Sequence, residues 1–138
     1  MSEGTQTRSF TLTVRYAETD AQGVVHHANY LSWFEEGRSE FLRQQGCFYS
    51  DMEHDGFFVI VAKATVEYRA PSFYEDRITI ATTMEKGKGR LLEFSYRATN
   101  QDGVLVAEGQ TRHLVLDAER RLVSMPDKYQ QLINKMDS

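Results

Sequence analysis

The chain has 138 residues, 41% hydrophobic and 26% charged, with a net charge of −4, the size and composition of one soluble domain able to bury a sizeable core. That acidic balance offers no broad basic surface for a nucleic-acid backbone, and no window approaches 18 apolar residues, so neither nucleic-acid binding nor a membrane span is expected. Residues 1–6 lack an apolar targeting core, which points to the cytoplasm, and the single cysteine, Cys47, excludes an internal disulfide and a cysteine-cluster zinc site.

Residues 1–7 read as a flexible tail, and 8–138 as a single domain. Phe10, Leu12, Val14 and Tyr16 alternate with Thr11, Thr13 and Arg15, the period of a half-buried strand over 9–16. A polar link follows, with Asp20, His26 and His27 within eight residues, and titratable groups held between rigid elements are where chemistry usually sits. Tyr30, Leu31, Trp33, Phe34, Gly37, Phe41 and Leu42 then recur at three and four residues, predicting a helix over 29–45 that stops at Gly46. Being apolar on more than one stripe, it should be buried on most sides. Gly37 costs about 1 kcal/mol against Ala inside a helix, so a close backbone approach is expected there. Cys47, with no basic neighbour in sequence, reads as a packed thiol.

Residues 47–56 read as a connector. A strand over 57–69, rich in β-branched and aromatic residues, is closed by Pro71; its first half is apolar on both faces. Further strands are expected over 77–84, 91–99 and 104–116, joined by turns at 85–90 and 100–103. After a charged turn at 117–121, Pro126 opens a short terminal helix reaching Met136. Four strands in up-and-down succession make an antiparallel sheet and an α+β fold, with the sheet curved around the helix. Such a sheet is open, and its unpaired edges, with the two-sided apolar segment 57–62, predict a homo-oligomer of at least two subunits.

The link and its flanks carry a further signal. Tyr16-Ala17-Glu18-Thr19-Asp20-Ala21-Gln22-Gly23-Val24-Val25-His26-His27-Ala28-Asn29-Tyr30, followed by Trp33-Phe34-Glu35-Glu36-Gly37-Arg38, resembles the hotdog-fold acyl-CoA thioesterases of the 4-hydroxybenzoyl-CoA thioesterase superfamily, and most closely their YbgC-type branch. Val66-Glu67-Tyr68-Arg69-Ala70-Pro71 resembles the same family. The resemblance implies a long central helix wrapped by a curved sheet, dimers joined edge to edge and often paired into tetramers, an active site between subunits, and no cofactor. It makes Asp20 the nucleophile or the general base on water, and a helix N-terminal amide near His27 the oxyanion donor, although Asn29 is the better N-cap by residue type. It also gives His27 and Tyr16 catalytic roles, with an acyl-CoA or an acyl carrier protein thioester as substrate.

Other readings of the same residues stand beside this one. His26 and His27 as metal ligands with His54 or His113 are disfavoured, since adjacent histidines do not share a helix face. Glu35 and Arg38, three residues apart, suggest a satisfied polar pair. Lys86, Lys88 and Arg90, interleaved with Gly87 and Gly89, suit CoA phosphates or make an exposed basic turn that binds nothing. A non-catalytic acyl-binding module would keep the pocket without needing Asp20. A dehydratase would need a histidine in a proline-rich loop, and Pro71 and Pro126 are the chain's only prolines. The sequence leaves the acyl group open.

Overall fold

The computed structural model describes residues 6–136. It contains strands β1 (Thr7–Thr13), β2 (Phe58–Tyr68), β3 (Arg77–Lys88), β4 (Leu91–Thr99) and β5 (Leu105–Leu116), with helices α1 (Ala28–Gln44), α2 (Tyr49–His54) and α3 (Asp127–Ile133). The strands form one antiparallel sheet in the order β1-β3-β4-β5-β2. The α1 helix lies against β1, β3 and β4, the helix-on-curved-sheet arrangement that the resemblance implies.

Several expectations change in detail. Thr7 pairs with Thr83 and so belongs to the sheet, not to a tail; residues 1–5 and 137–138 lie outside the described residues. The first strand ends at Thr13 instead of Tyr16, because the Val14 N–H turns to the Asp76 carbonyl and the chain enters a single 3-10 turn, Tyr16–Glu18. The connector at 47–56 contains α2, a helix too short to show a period, anchored by the buried Met52. β3 runs on to Lys88 through a bulge between Met84 and Lys86, which confines the turn to Gly89 and Arg90. Up-and-down succession holds only for β3, β4 and β5. β2 pairs with β5 at the far edge, so residues 69–76 cross from that edge to the other side of the sheet.

The helix is buried on one side only. Tyr30, Trp33, Phe34, Gly37, Arg38, Phe41 and Leu42 face the core, whereas Leu31, Ser32, Glu35 and Glu36 are exposed. Phe34 stacks on Tyr96 at 4.7 Å between ring centroids, and Phe41 meets Phe94 edge-on. Gly37 marks a close approach, but of side chains and not of the backbone expected there: a Cβ would lie 2.6 Å from Thr82 Oγ1 and 2.8 Å from Ile80 Cγ2. Gly46, with φ +79°, follows the helix end as the left-handed residue that glycine tolerates. Cys47 is buried, and burial, with the Asp51 charge nearby, pushes its thiol up to about 11, as befits an unreactive packed cysteine.

Candidate active site

The link between β1 and α1 is a folded loop fixed from below by Glu18. The buried Glu18 carboxylate accepts hydrogen bonds from the Arg15 backbone N–H at 2.8 Å and the Trp33 indole N–H at 2.9 Å. Its carbonyl accepts the His26 N–H at 2.8 Å and the Asn29 side-chain amide at 2.9 Å. Burial opposes the charge of this carboxyl, but those donors and the Arg15 guanidinium outweigh it and hold the group below the usual glutamate range. One acidic side chain thereby ties the loop's first turn to the first turn of the helix.

Above it, Asp20 closes a tight turn. Its N–H donates to the Val24 carbonyl at 2.8 Å, and its carbonyl accepts the Gly23 N–H at 3.0 Å. Gly23 takes φ +82°, which a side chain would strain. Asp20 Oδ1 accepts the Gln22 N–H at 2.8 Å, which sets the carboxylate's direction and leaves the side chain exposed. Val25 and Val24 then bond and bridge to Ser72 and Phe73 of the crossing segment, fixing the turn from the other side.

His27 occupies the N-cap position of α1, and Asn29 sits inside the first turn with its side chain turned to Glu18. The Ala28 amide donates to His26 Nδ1 at 3.2 Å, and the Asn29 and Tyr30 amides donate to the His26 and His27 carbonyls. Among the described residues the His27 amide has no such partner. An unpaired amide at a helix start is a ready donor to a developing negative charge. The imidazoles of His26 and His27 stack at 4.3 Å, and the Tyr68 hydroxyl donates to the His27 carbonyl at 3.3 Å. Tyr30, edge-on to Tyr68, donates its hydroxyl to the buried Ser72 at 3.1 Å.

Asp20, His26 and His27 are thus gathered at one end of α1, but other candidates lie apart from them. Tyr16 is 76% exposed, packs edge-on against Tyr74, and among the described residues makes no hydrogen bond to Asp20. Tyr68, Phe73 and Tyr74 are exposed as well, and of these Tyr16 meets Tyr74. Lys86, Lys88 and Arg90 stand at the opposite end of β3 from the Val14–Asp76 junction beside this loop, roughly 33–40 Å along the strand for the two lysines. Lys86 faces Glu93 at 3.8 Å. One subunit does not bring the basic hairpin to Asp20.

The polar pair expected between Glu35 and Arg38 does not form. Arg38 turns inward, donating from Nε to the Tyr49 hydroxyl at 2.8 Å and from Nη1 to the Tyr96 hydroxyl at 3.4 Å. Tyr96 shares a 2.6 Å hydrogen bond with Thr111, which in turn meets His113 Nε2 at 2.7 Å. Burial and the Arg38 charge press His113 down to about 4, so it is neutral at physiological pH. Among the described residues no group of three or more His, Cys, Asp or Glu side chains is placed to hold a metal ion. Sequence reasoning missed Glu18, Tyr68 and Ser72 as supports. Glu18 and Tyr68 stood inside the two motifs, but what they support is visible only once the loop is folded onto the helix.

Comparison with known proteins matches residues 14–133 to the thioesterase-like superfamily. A putative esterase of Aquifex aeolicus is 38% identical over 120 residues, 87% of this chain and 92% of that protein. The acyl-CoA thioester hydrolase YbgC of Escherichia coli O157:H7 is 34% identical over 104 residues, 75% of this chain and 78% of that protein. Among solved structures, a DHNA-CoA thioesterase from Staphylococcus aureus superposes with a TM-score of 0.84 at 30% identity, covering 89% of this chain and 83% of that one.

Proposed function

The chain belongs to the thioesterase-like superfamily and is a thioester hydrolase with the hotdog fold, and on that premise we propose that it cleaves an acyl-CoA to the free acid and the CoA thiol. What supports this reading is an exposed carboxylate on Asp20, directed by the Gln22 amide, in the loop that leads into the start of α1, where the His27 amide has no hydrogen-bond partner among the described residues. Two routes use these groups. In one, an Asp20 oxygen attacks the thioester carbonyl and expels the thiolate, leaving a mixed anhydride that water opens. In the other, Asp20 takes the proton of a water that attacks the same carbon. In both, the charge building on the carbonyl oxygen points at the His27 N–H. The His27 imidazole handles the proton that the departing thiolate needs.

Tyr16 serves as part of an aromatic rim around the bound ester, not as a tether for Asp20. The protein works as a homodimer joined along β2, with pairing into a tetramer as the further step. The basic hairpin of Lys86, Lys88 and Arg90 serves the phosphates of a CoA whose thioester lies on another subunit. Incubation with a panel of acyl-CoAs, aromatic and aliphatic, while free thiol is followed, tests the reaction. Thiol release that depends on the protein is the expected outcome. Tight binding of the esters without release would instead make the protein a binding module. The same assay on an acylated carrier protein decides whether that thioester is also a substrate.

A further inference from the structure

β2 runs beside the exposed side of α1 without packing closely on it. Tyr68, at one end of the strand, touches the His27 end of the helix, and Val61 and Ala64, further back, lie opposite Leu31, Ser32, Glu35 and Arg38. Between them is a pocket of about 210 Å³ lined by Leu31, Ser32, Glu35, Arg38, Val61, Ala64 and Thr111. Leu31 and Glu35 lie one and two turns on from His27 along α1, and Val61 and Ala64 belong to the same strand as Tyr68, so the pocket lies further along the helix and strand that meet at His27. The helix rises about 16 Å from residue 27 to residue 38, and a helical side chain leans back toward the N-terminus, which suits a chain of medium length.

The floor of this pocket is unusual. Its walls are Leu31, Val61 and Ala64, yet Arg38, only 7% exposed, also lines it, with its guanidinium held at Tyr96, whose hydroxyl bonds Thr111 of the same lining. Among the described residues no carboxylate lies within ion-pair distance of it; its partners are the neutral hydroxyls of Tyr49 and Tyr96. A buried cation without a counter-ion is costly, and an anion that reaches it completes the site. Burial works against the Arg38 charge, but the two tyrosines outweigh it, so the group stays protonated throughout the physiological range. The one anionic side chain lining the pocket, Glu35, is exposed, so solvent screens it far more than the buried cation.

We propose that Arg38 is a specificity-determining residue that receives a carboxylate at the far end of the acyl chain, so that the preferred substrates are thioesters of dicarboxylic acids. This rests on the thioesterase reading above. The acyl carbonyl sits at Asp20 and His27, the methylenes lie along Leu31, Val61 and Ala64, and the terminal carboxylate meets the Arg38 guanidinium beside the Thr111 hydroxyl.

The test compares esters of equal length, adipyl-CoA with hexanoyl-CoA and suberyl-CoA with octanoyl-CoA, using the wild-type protein. The dicarboxylic member of at least one pair should have a kcat/KM roughly tenfold or more higher, the scale of a charge-assisted hydrogen bond. Arg38→Met should bring that ratio toward one, and Glu35→Gln should raise it. Equal or reversed values in the wild type overturn the proposal, and since that comparison needs no variant, it decides even if Arg38→Met fails to fold. Calorimetric binding of the same esters to Asp20→Asn reads the preference without turnover. Hydrolysis of the alkyl esters with no preference in rate or binding removes the Arg38 assignment and leaves the thioesterase. Preferential binding of the dicarboxylic esters with no hydrolysis of any ester removes the thioesterase and leaves the Arg38 site.

Discussion

Asp20 is aimed by only one of its two carboxylate oxygens. Because Oδ1 is engaged by the Gln22 amide, an asparagine can keep that acceptor and the turn with it. Asp20→Asn is therefore expected to fold with an unchanged far-ultraviolet circular dichroism spectrum while kcat falls about 100-fold or more, since an amide is a poor nucleophile and base. Near-normal thiol release by the folded variant would remove Asp20 from the chemistry. The two histidines separate in a different way. His27→Ala keeps the backbone amide and loses only the imidazole, so kcat should drop about tenfold with little change in KM. His26 accepts the Ala28 N–H, so His26→Ala should cost about 1 kcal/mol of stability, seen as a lowered Tm, and affect turnover less. A larger kcat loss at His26 would exchange their roles.

Two elements meet at Glu18, and pH should report on the joint. Its folded-state pKa lies below the ordinary value of 4.5, so its contribution is fully present above that pH and is lost as pH falls through the lowered value. Thermal melts between about pH 6 and pH 3 should show Tm falling, and Glu18→Gln should flatten that slope; an identical slope in the variant would show that the joint does not depend on the charge. Where α1 crosses the sheet, Gly37→Ala sets a gain of about 1 kcal/mol in helix propensity against overpacking of roughly 1–3 kcal/mol at Thr82 and Ile80. The clash should win, and Tm should fall. How far these elements could be read in the sequence follows from how local their causes are. β4 matches its alternating stretch end to end, and α1 begins and ends one residue early, because each is written in its own period. α2 was hidden by its length, and the extension of β3 by a bulge that breaks the alternation. The Asp20–His27 cluster was legible because its members are near in sequence. Arg38 was misread because its partners, Tyr49, Tyr96 and the chain to His113, come from three other elements.

At the scale of the whole molecule, β2 is an edge strand eleven residues long with Phe58, Ile60 and Val61 exposed, Val61 by 54%. A second copy pairing with it about a two-fold axis would satisfy the backbone groups along that edge and cover Phe58 and Ile60, while Val61 faces the groove with α1. Sedimentation equilibrium at low micromolar concentration should give a dimer or a multiple of it, and a stable, active monomer would overturn the assembly. The order β1-β3-β4-β5-β2 also has a consequence in time. A ribosome releases the chain from one end, and β2 is finished at Tyr68 while its partner begins at Leu105. At ordinary elongation rates that interval lasts roughly 2–8 s, during which an apolar strand waits with neither edge paired. β1 waits similarly for β3, but it is shorter and alternates with polar residues. On the proposed assembly, the apolar strand that waits for its partner during synthesis is also the edge where a second copy would pair, so the hazard of the nascent chain and the proposed interface fall in the same eleven residues.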